Sequence, residues 1–508
     1  MVAAALLAVG TPKPAKAANL TWNQANNNTY SWINSANWSG GTGYPDAIGD
    51  VANLNVNILG TNTITLDTNV TLAALNIGDA TGGDAFIIQS GVVAQPGILP
   101  LAGQSVNVGA GSIVMDALGN APVTITKSGT GVTDEISALV YFNDALTITA
   151  TGKVRFSGGL RSGQSEIVIA GAGEVEVSAG GFITGGNLVK NDAGIFRLGS
   201  TSSHSGATTI NAGSLVANAA NVLPNRTALT VAAGATLNLN NNSQVIGSLA
   251  GAGLVTNPGG TATTLTIGRA DTSSTFSGQF TSTTAAANLL LTKQGSGVFT
   301  FSPSVASTYT GATTVQGGAF VLDFANSGAL QSLLAATPVT IQSGRFTMVG
   351  RAGLASSQTL GGFTAGQGGG VLSVVAGDTS LTRLALGGLT VSTSSTAGSS
   401  LLVSAPANTQ ITTTTARPAE NIYGNGRAVF TDGTNFDWLS STGTGTVVLG
   451  GMGTAAGQAY TGSFPAIGGT VATGNYTLSG GQTQTTAATN VFTLKINSTG
   501  ASQSLALG

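Results

Sequence analysis

Apolar residues recur along this chain at every second position, in short runs separated by glycine. In Thr227–Asn240, Leu229, Val231, Leu237 and Leu239 alternate with small or polar residues around the turn Ala233-Gly234-Ala235. Asn62–Val70, Ala145–Phe156, Gly173–Val177 and Phe492–Ile496 share that rhythm. A period of two belongs to strands with one buried face, and the 3.6-residue period of a helix persists almost nowhere. Strands this short suit the coils of a β-solenoid better than the long strands of a sandwich. Each strand would pair with its equivalents one coil above and below, about 4.8 Å away. Inward Leu, Val, Ile and Phe would then stack into a continuous core, with glycines at the positive-φ corners. With about 20–25 residues per coil, the chain predicts roughly 20 coils and a rod of about 100 Å.

Internal repetition supports stacking. Asn187–Ala217 and Leu289–Leu322 are two copies of one unit: Lys190 matches Lys293, Gly194 matches Gly297 and Phe196 matches Phe299. After a longer loop in the second copy, Gly206 matches Gly311, Thr209 matches Thr314 and Gly213 matches Gly318. A single strand–turn–strand unit cannot bury its own apolar face, so such copies are expected to stack.

Composition narrows the chemistry. Charged residues are 7% of the 508, while 42% are hydrophobic, so the chain can bury a core despite 75 glycines. A net charge of −2 and scattered basic residues give no footprint for nucleic acid or an anionic membrane. Without cysteine, disulfides and thiolate metal sites are excluded. No stretch after the N-terminus has the roughly 18 apolar residues of a spanning helix.

Residues 1–17 read as a leader, with an apolar run at Val2–Val9 and a small-x-small site at Ala15-Lys16-Ala17, although a basic n-region is missing. Residues 18–50 hold Trp22, Tyr30, Trp32, Trp38 and Tyr44 and are expected to form an aromatic N-terminal cap. The solenoid is expected to occupy residues 51–508.

The repeat pair resembles the autotransporter-associated β-strand repeat, with Leu291, Lys293, Gly295, Gly297, Phe299 and Phe301 followed by Tyr309, Gly311, Thr313, Val315, Gly318 and Phe320. The first copy departs at Asp192, in place of a glycine, and at His204, which stands where the second copy has Thr308 or Tyr309. The resemblance implies an all-β, right-handed parallel β-helix, displayed at a bacterial cell surface, associated with the outer membrane, or secreted. It brings no active-site residues, because the repeat is scaffold. No outer-membrane barrel of long aromatic-girdled strands is recognisable in Gly451–Gly508, so the chain is expected to be truncated, split from its barrel, or one of the related proteins exported by another route. Leu494-Lys495-Ile496-Asn497 reads as the start of further coils, which favours truncation.

Candidate chemistry is sparse. His204 is the sole histidine, so a Ser–His–Asp system would depend on it, and it reads as a surface-loop residue. Glu174 and Glu176 lie two apart on one side of a strand, and Asp432 and Asp437 lie near Trp438. Either pair could serve glycoside cleavage, or simply face solvent. Gly78-Asp79, Gly83-Asp84 and Asp432-Gly433 lack the loop patterns of calcium sites. No cofactor or metal is expected. Trp22, Tyr30, Trp32, Trp38 and Tyr44 are the best ligand-binding candidates, since aromatic rings stack on sugar faces, but the same residues would also plug a first coil. The leading expectation is a non-enzymatic exported passenger or adhesive protein with surface or extracellular glycans as partners. A polysaccharide lyase or hydrolase, or a glycan-binding module, is the alternative.

Overall fold

The computed structural model describes residues 17–91, 111–282, 288–328, 330–392, 400–416, 423, 427–434, 436–442, 445–451, 462–463, 474–479 and 491–497. The leader proposed for residues 1–17 lies outside them except for its last residue. The chain divides into two compact units, Met1–Val222 and Leu223–Gly508, and each is built of parallel β-strands stacked coil on coil. Among the described residues there is no α-helix, and 3₁₀ turns occur at Ser35–Asn37 and Leu118–Asn120.

In the first unit a coil has three short strands, one on each face. Leu146–Ala150, Lys153–Phe156 and Leu160–Arg161 make one coil, and Ile167–Ala170, Glu174–Val177 and Ile183–Thr184 make the next. Every strand of the first pairs in parallel with its equivalent in the second. Leu146 pairs with Ile167 and Ile167 with Leu188, so two successive coils here have the same length. That length falls within the range read from the sequence.

Register follows from alternation. Val123, Leu146, Ile167 and Leu188 form one inward row, and Ile125, Ile148 and Ile169 form the next, all buried. A one-residue slip would turn both rows to solvent, which fixes the pairing strongly. Corners are tight enough to demand glycine: Gly171 has φ 89°, and a Cβ there would sit 2.1 Å from the carbonyl oxygen of Ala150 in the preceding coil.

The second unit repeats the plan with coils of varying length. Ala228 pairs with Ser248, whereas Gly370 pairs with Leu401 across a visibly longer stretch of chain. The alternation read at Thr227–Asn240 holds, with Leu229, Val231, Leu237 and Leu239 all buried and Gly234 turning the corner at φ 81°. Phe299, Phe320 and Phe346 follow one another through the core, the first pair edge to face at 5.5 Å and the second stacked at 5.6 Å between ring centroids.

Pairing changes near the last described coils. Ala428–Thr431 pairs antiparallel with Phe436–Thr442, which pairs antiparallel with Val447–Gly451, which in turn covers Thr409–Thr413. Farther on, Gly462–Ser463, Gly474–Ser479 and Val491–Asn497 pair in parallel, so Leu494 to Asn497 lie in a strand as their alternation suggests.

Candidate functional site

Each repeat copy is one coil laid on the next. Leu188–Lys190 lies on Thr208–Ile210 and Ile195–Leu198 on Ser214–Ala217. In the second copy, Leu289–Lys293 lies on Thr313–Val315 and Val298–Phe301 on Ala319–Asp323.

The matched lysines point inward. Lys190 sits between Ile169 and Ile210 in a core row, and Lys293 between Ile267 and Val315. The Lys190 ammonium donates to the carbonyl oxygens of Asn191, of Asp192 at 2.8 Å and of Ala212 at 3.3 Å. Lys293 repeats this with Gln294, Gly295 at 3.0 Å and Gly317 at 3.3 Å. Three N–H donors thus meet three corner carbonyls, two in their own coil and one in the next. Burial pulls both ammonium groups down to about 8, opposed by Asp192 and Asp271 respectively, so both keep their charge at neutral pH. These lysines are structural clamps, and the parity of Leu188 and Lys190, both on the inward side, is the sequence signal for them.

His204 corrects an expectation. It is not on a surface loop but buried at 2% exposure, with Nε2 2.8 Å from the Thr208 hydroxyl. Tyr309 makes the same contact with Thr313 at 2.8 Å, so His204 is the counterpart of Tyr309 rather than of Thr308. The longer loop of the second copy had left those two open. The shared four-residue spacing to threonine decides between them. Burial lowers the imidazole to about 4, so it is neutral at pH 7, and Nδ1 has no hydrogen-bond partner. A neutral imidazole sealed in a core does not reach a substrate.

The acidic pairs resolve into ion-pair networks and turns. Glu135, Arg155, Glu176 and Arg197 occupy one outward row on four successive coils, alternating in sign. Glu174 meets Lys153 and Arg197, each at 2.9 Å, while Glu176 meets Lys153 at 3.3 Å and Arg155 at 3.4 Å. Burial raises the Glu174 carboxyl, but Lys153 and Arg197 outweigh it, so the pKa falls and no proton is held for general-acid work. Asp432 caps its own turn by accepting from Thr434 N at 2.9 Å. Phe430, in the opposite strand, pairs with Asp437.

Asp79 is a loop staple. It is buried and accepts from Ile58 N at 2.9 Å, the Thr81 hydroxyl at 2.6 Å and Gly83 N at 2.8 Å. Burial alone would raise its pKa, but Thr81 and the amides of Ile58, Gly83 and Asp84 hold it at about 2. Lys127 and Asp134 form a buried ion pair at 2.8 Å, with Phe86 N on the other carboxylate oxygen. Among the described residues no three His, Asp or Glu side chains gather as a metal site. No helix among them is long and apolar enough to cross a membrane.

The aromatic cluster sits on the first strands. Asn19–Trp22 pairs in parallel with Val51–Leu54 and antiparallel with Trp38–Ser39, which brings Trp22 opposite Trp38. Trp22 and Trp38 are 5.1 Å apart edge to face, Trp32 and Trp38 4.8 Å, and Trp22 and Tyr30 5.6 Å. Trp32 Nε1 donates to the Pro45 carbonyl and Trp38 Nε1 to that of Trp32. All three indoles are buried, while Tyr30 and Tyr44 are half-buried. The three indole rings pack edge to face on one another.

Two segments, residues 188–217 and 291–322, match the passenger-associated-transport-repeat family. The adhesin BmaC autotransporter of Brucella suis biovar 1 (strain 1330) is 28% identical over 342 residues, which is 67% of this chain and 10% of that protein. The chain therefore spans about a tenth of the length of this relative. No solved structure shows significant similarity. The chain is an autotransporter-passenger-like β-solenoid bearing two transport repeats.

Proposed function

We propose that this chain is the non-enzymatic, adhesive part of an exported bacterial surface protein, and that its stacked coils hold binding surface away from the cell. The observation that carries this is the pair of transport repeats built as stacked coils, each clamped by an inward lysine on backbone carbonyls. Similarity to an autotransporter adhesin supports it. So does the disposition of the candidate catalytic groups: the histidine is sealed in the core, and Glu174 and Glu176 are each engaged by cations. We assign Trp22, Trp32 and Trp38 to closing the first coil, with Tyr30 and Tyr44 as the rings left to meet a sugar.

Latex beads coated with the full chain test this reading on epithelial monolayers and on immobilised glycans. Saturable retention above that of beads carrying heat-denatured chain is expected, with no new reducing ends or unsaturated products released from polysaccharide. Retention equal to the denatured control sinks the adhesive role. Release of such products points instead to a carbohydrate-cleaving enzyme.

A further inference from the structure

One row in the second unit carries the same residue on six successive coils, and on the last five of them it faces outward. Thr266, Thr292, Thr314, Thr340, Thr364 and Thr390 are consecutive partners in parallel pairing. Their chain neighbours Leu291, Val339, Phe363 and Leu389 are buried while Thr292, Thr314, Thr340, Thr364 and Thr390 are part-exposed or exposed, which sets these five on the outer side; Thr266 is itself buried at 8% exposure. Two positions along the chain from the central threonines lie Gln294, Gln316 and Gln342, whose carboxamides bond along the stack at 2.8 and 3.3 Å.

Sheet propensity does not account for this constancy. Valine would serve an outward strand position equally well, and other rows of the same unit are less constant. A row on another face reads Thr275, Thr300, Val321, Thr347 and Ser373. Two positions before the ladder, Thr264 faces Leu290 and Pro338 faces Gly362. What the ladder keeps constant is a β-branched side chain with a hydroxyl.

Charge and polarity narrow the partner. The six strands hold one charged residue, Lys293, and it is turned inward onto carbonyls. A polyanion would find no cations here, and an apolar surface would meet hydroxyls and amides. A periodic strip of neutral donors and acceptors fits a periodic chain of neutral hydroxyl-bearing units.

We propose that this threonine ladder, flanked by its glutamines, is a binding strip for a neutral, extended polysaccharide lying along the stack. The proposal rests on the adhesive reading and names its ligand class. Each rung contributes a weak contact. Once one unit is held, the next binds at high effective concentration, so affinity grows with chain length. Growth stops when the glycan outruns the ladder, about 19 Å from Thr292 to Thr390.

The experiment titrates the full chain with size-graded neutral glucan oligosaccharides, β-1,4- and α-1,6-linked, and with oligogalacturonate as the anionic counterpart. For at least one neutral series, affinity rises with length and levels off near the ladder's span. The triple variant T292V/T314V/T340V loses about tenfold or more for the longest oligomers, with an unchanged unfolding midpoint. The matching triple serine variant, which keeps the hydroxyls, retains binding. Equal binding by the valine variant overturns the proposal, as does binding of the anionic series alone or of neither series. Bead adhesion measured on the same proteins keeps the two readings apart: adhesion that survives the valine substitutions rejects the ladder and leaves the adhesive role standing.

Discussion

Acidification from pH 6.5 to 4 is expected to destabilise the first unit by about 3 kcal/mol through His204 alone. The imidazole titrates at about 4 in the fold because it is buried, with one ring nitrogen on Thr208 and the other unpartnered. In the unfolded chain it titrates near 6.5. Between those values the unfolded state binds a proton that the folded state cannot, so stability falls as pH drops and levels off below about 4. His204→Tyr installs the side chain the second repeat uses at Tyr309, which stays neutral throughout this range and can bond Thr208 as Tyr309 bonds Thr313. In urea unfolding across pH 4–8, the stability difference between wild type and variant should carry this slope, since the shifted carboxyls of Asp46, Asp134 and Glu174 are common to both proteins. Asp79, held at about 2, begins to lose its contribution as pH falls through the ordinary carboxylate range, but it does so in both proteins and does not blur the comparison. Parallel slopes in the two proteins would show that His204 is not sealed in the core.

A single methyl group at a repeat corner is the second large effect. Gly318 has φ 59°, and a Cβ there would lie 2.3 Å from the carbonyl oxygen of Gly297 and 2.6 Å from that of Gly295. Both oxygens belong to backbone of the preceding coil, which cannot swing aside as a side chain would. Gly318→Ala combines left-handed strain with overpacking and should cost on the order of 3 kcal/mol. Gly328→Ala is the control, since φ is 56° there but no atom lies within 4 Å of the added methyl. The midpoint of thermal unfolding should fall clearly further for Gly318→Ala than for Gly328→Ala. Equal shifts would remove the contact between coils from the explanation.

Much of this architecture was legible because its determinants are local. Alternation at Leu229, Val231, Leu237 and Leu239 places four buried side chains correctly from one short window of sequence. What escaped depends on partners one coil away. Glu174 and Glu176 were readable as neighbours on one side of a strand, but Lys153, Arg155 and Arg197 answer them from adjacent coils. That arrangement emerges only once the register is known, with Lys153 set against Glu174 and Glu174 against Ile195. Lys190 and Lys293 read as polar and therefore outward by residue type, and as inward by parity with Leu188 and Leu291. Parity wins because corner carbonyls satisfy the ammonium. The burial of Trp22, Trp32 and Trp38 depends on the antiparallel return of Trp38–Ser39, which no periodicity announces.

In-register parallel stacking is the claim on which all of this rests, and a chain without cysteine allows it to be probed by disulfide trapping. Thr314 and Thr340 are direct partners on neighbouring coils, whereas Thr314 and Thr364 are two coils apart. Neighbouring strands place Cα atoms about 4.8 Å apart, inside the range a disulfide spans, and the second separation is about twice that. Under mild oxidation the T314C/T340C protein should cross-link nearly completely and T314C/T364C hardly at all. Efficient closure of the second pair, or failure of the first in folded protein, would contradict the stack.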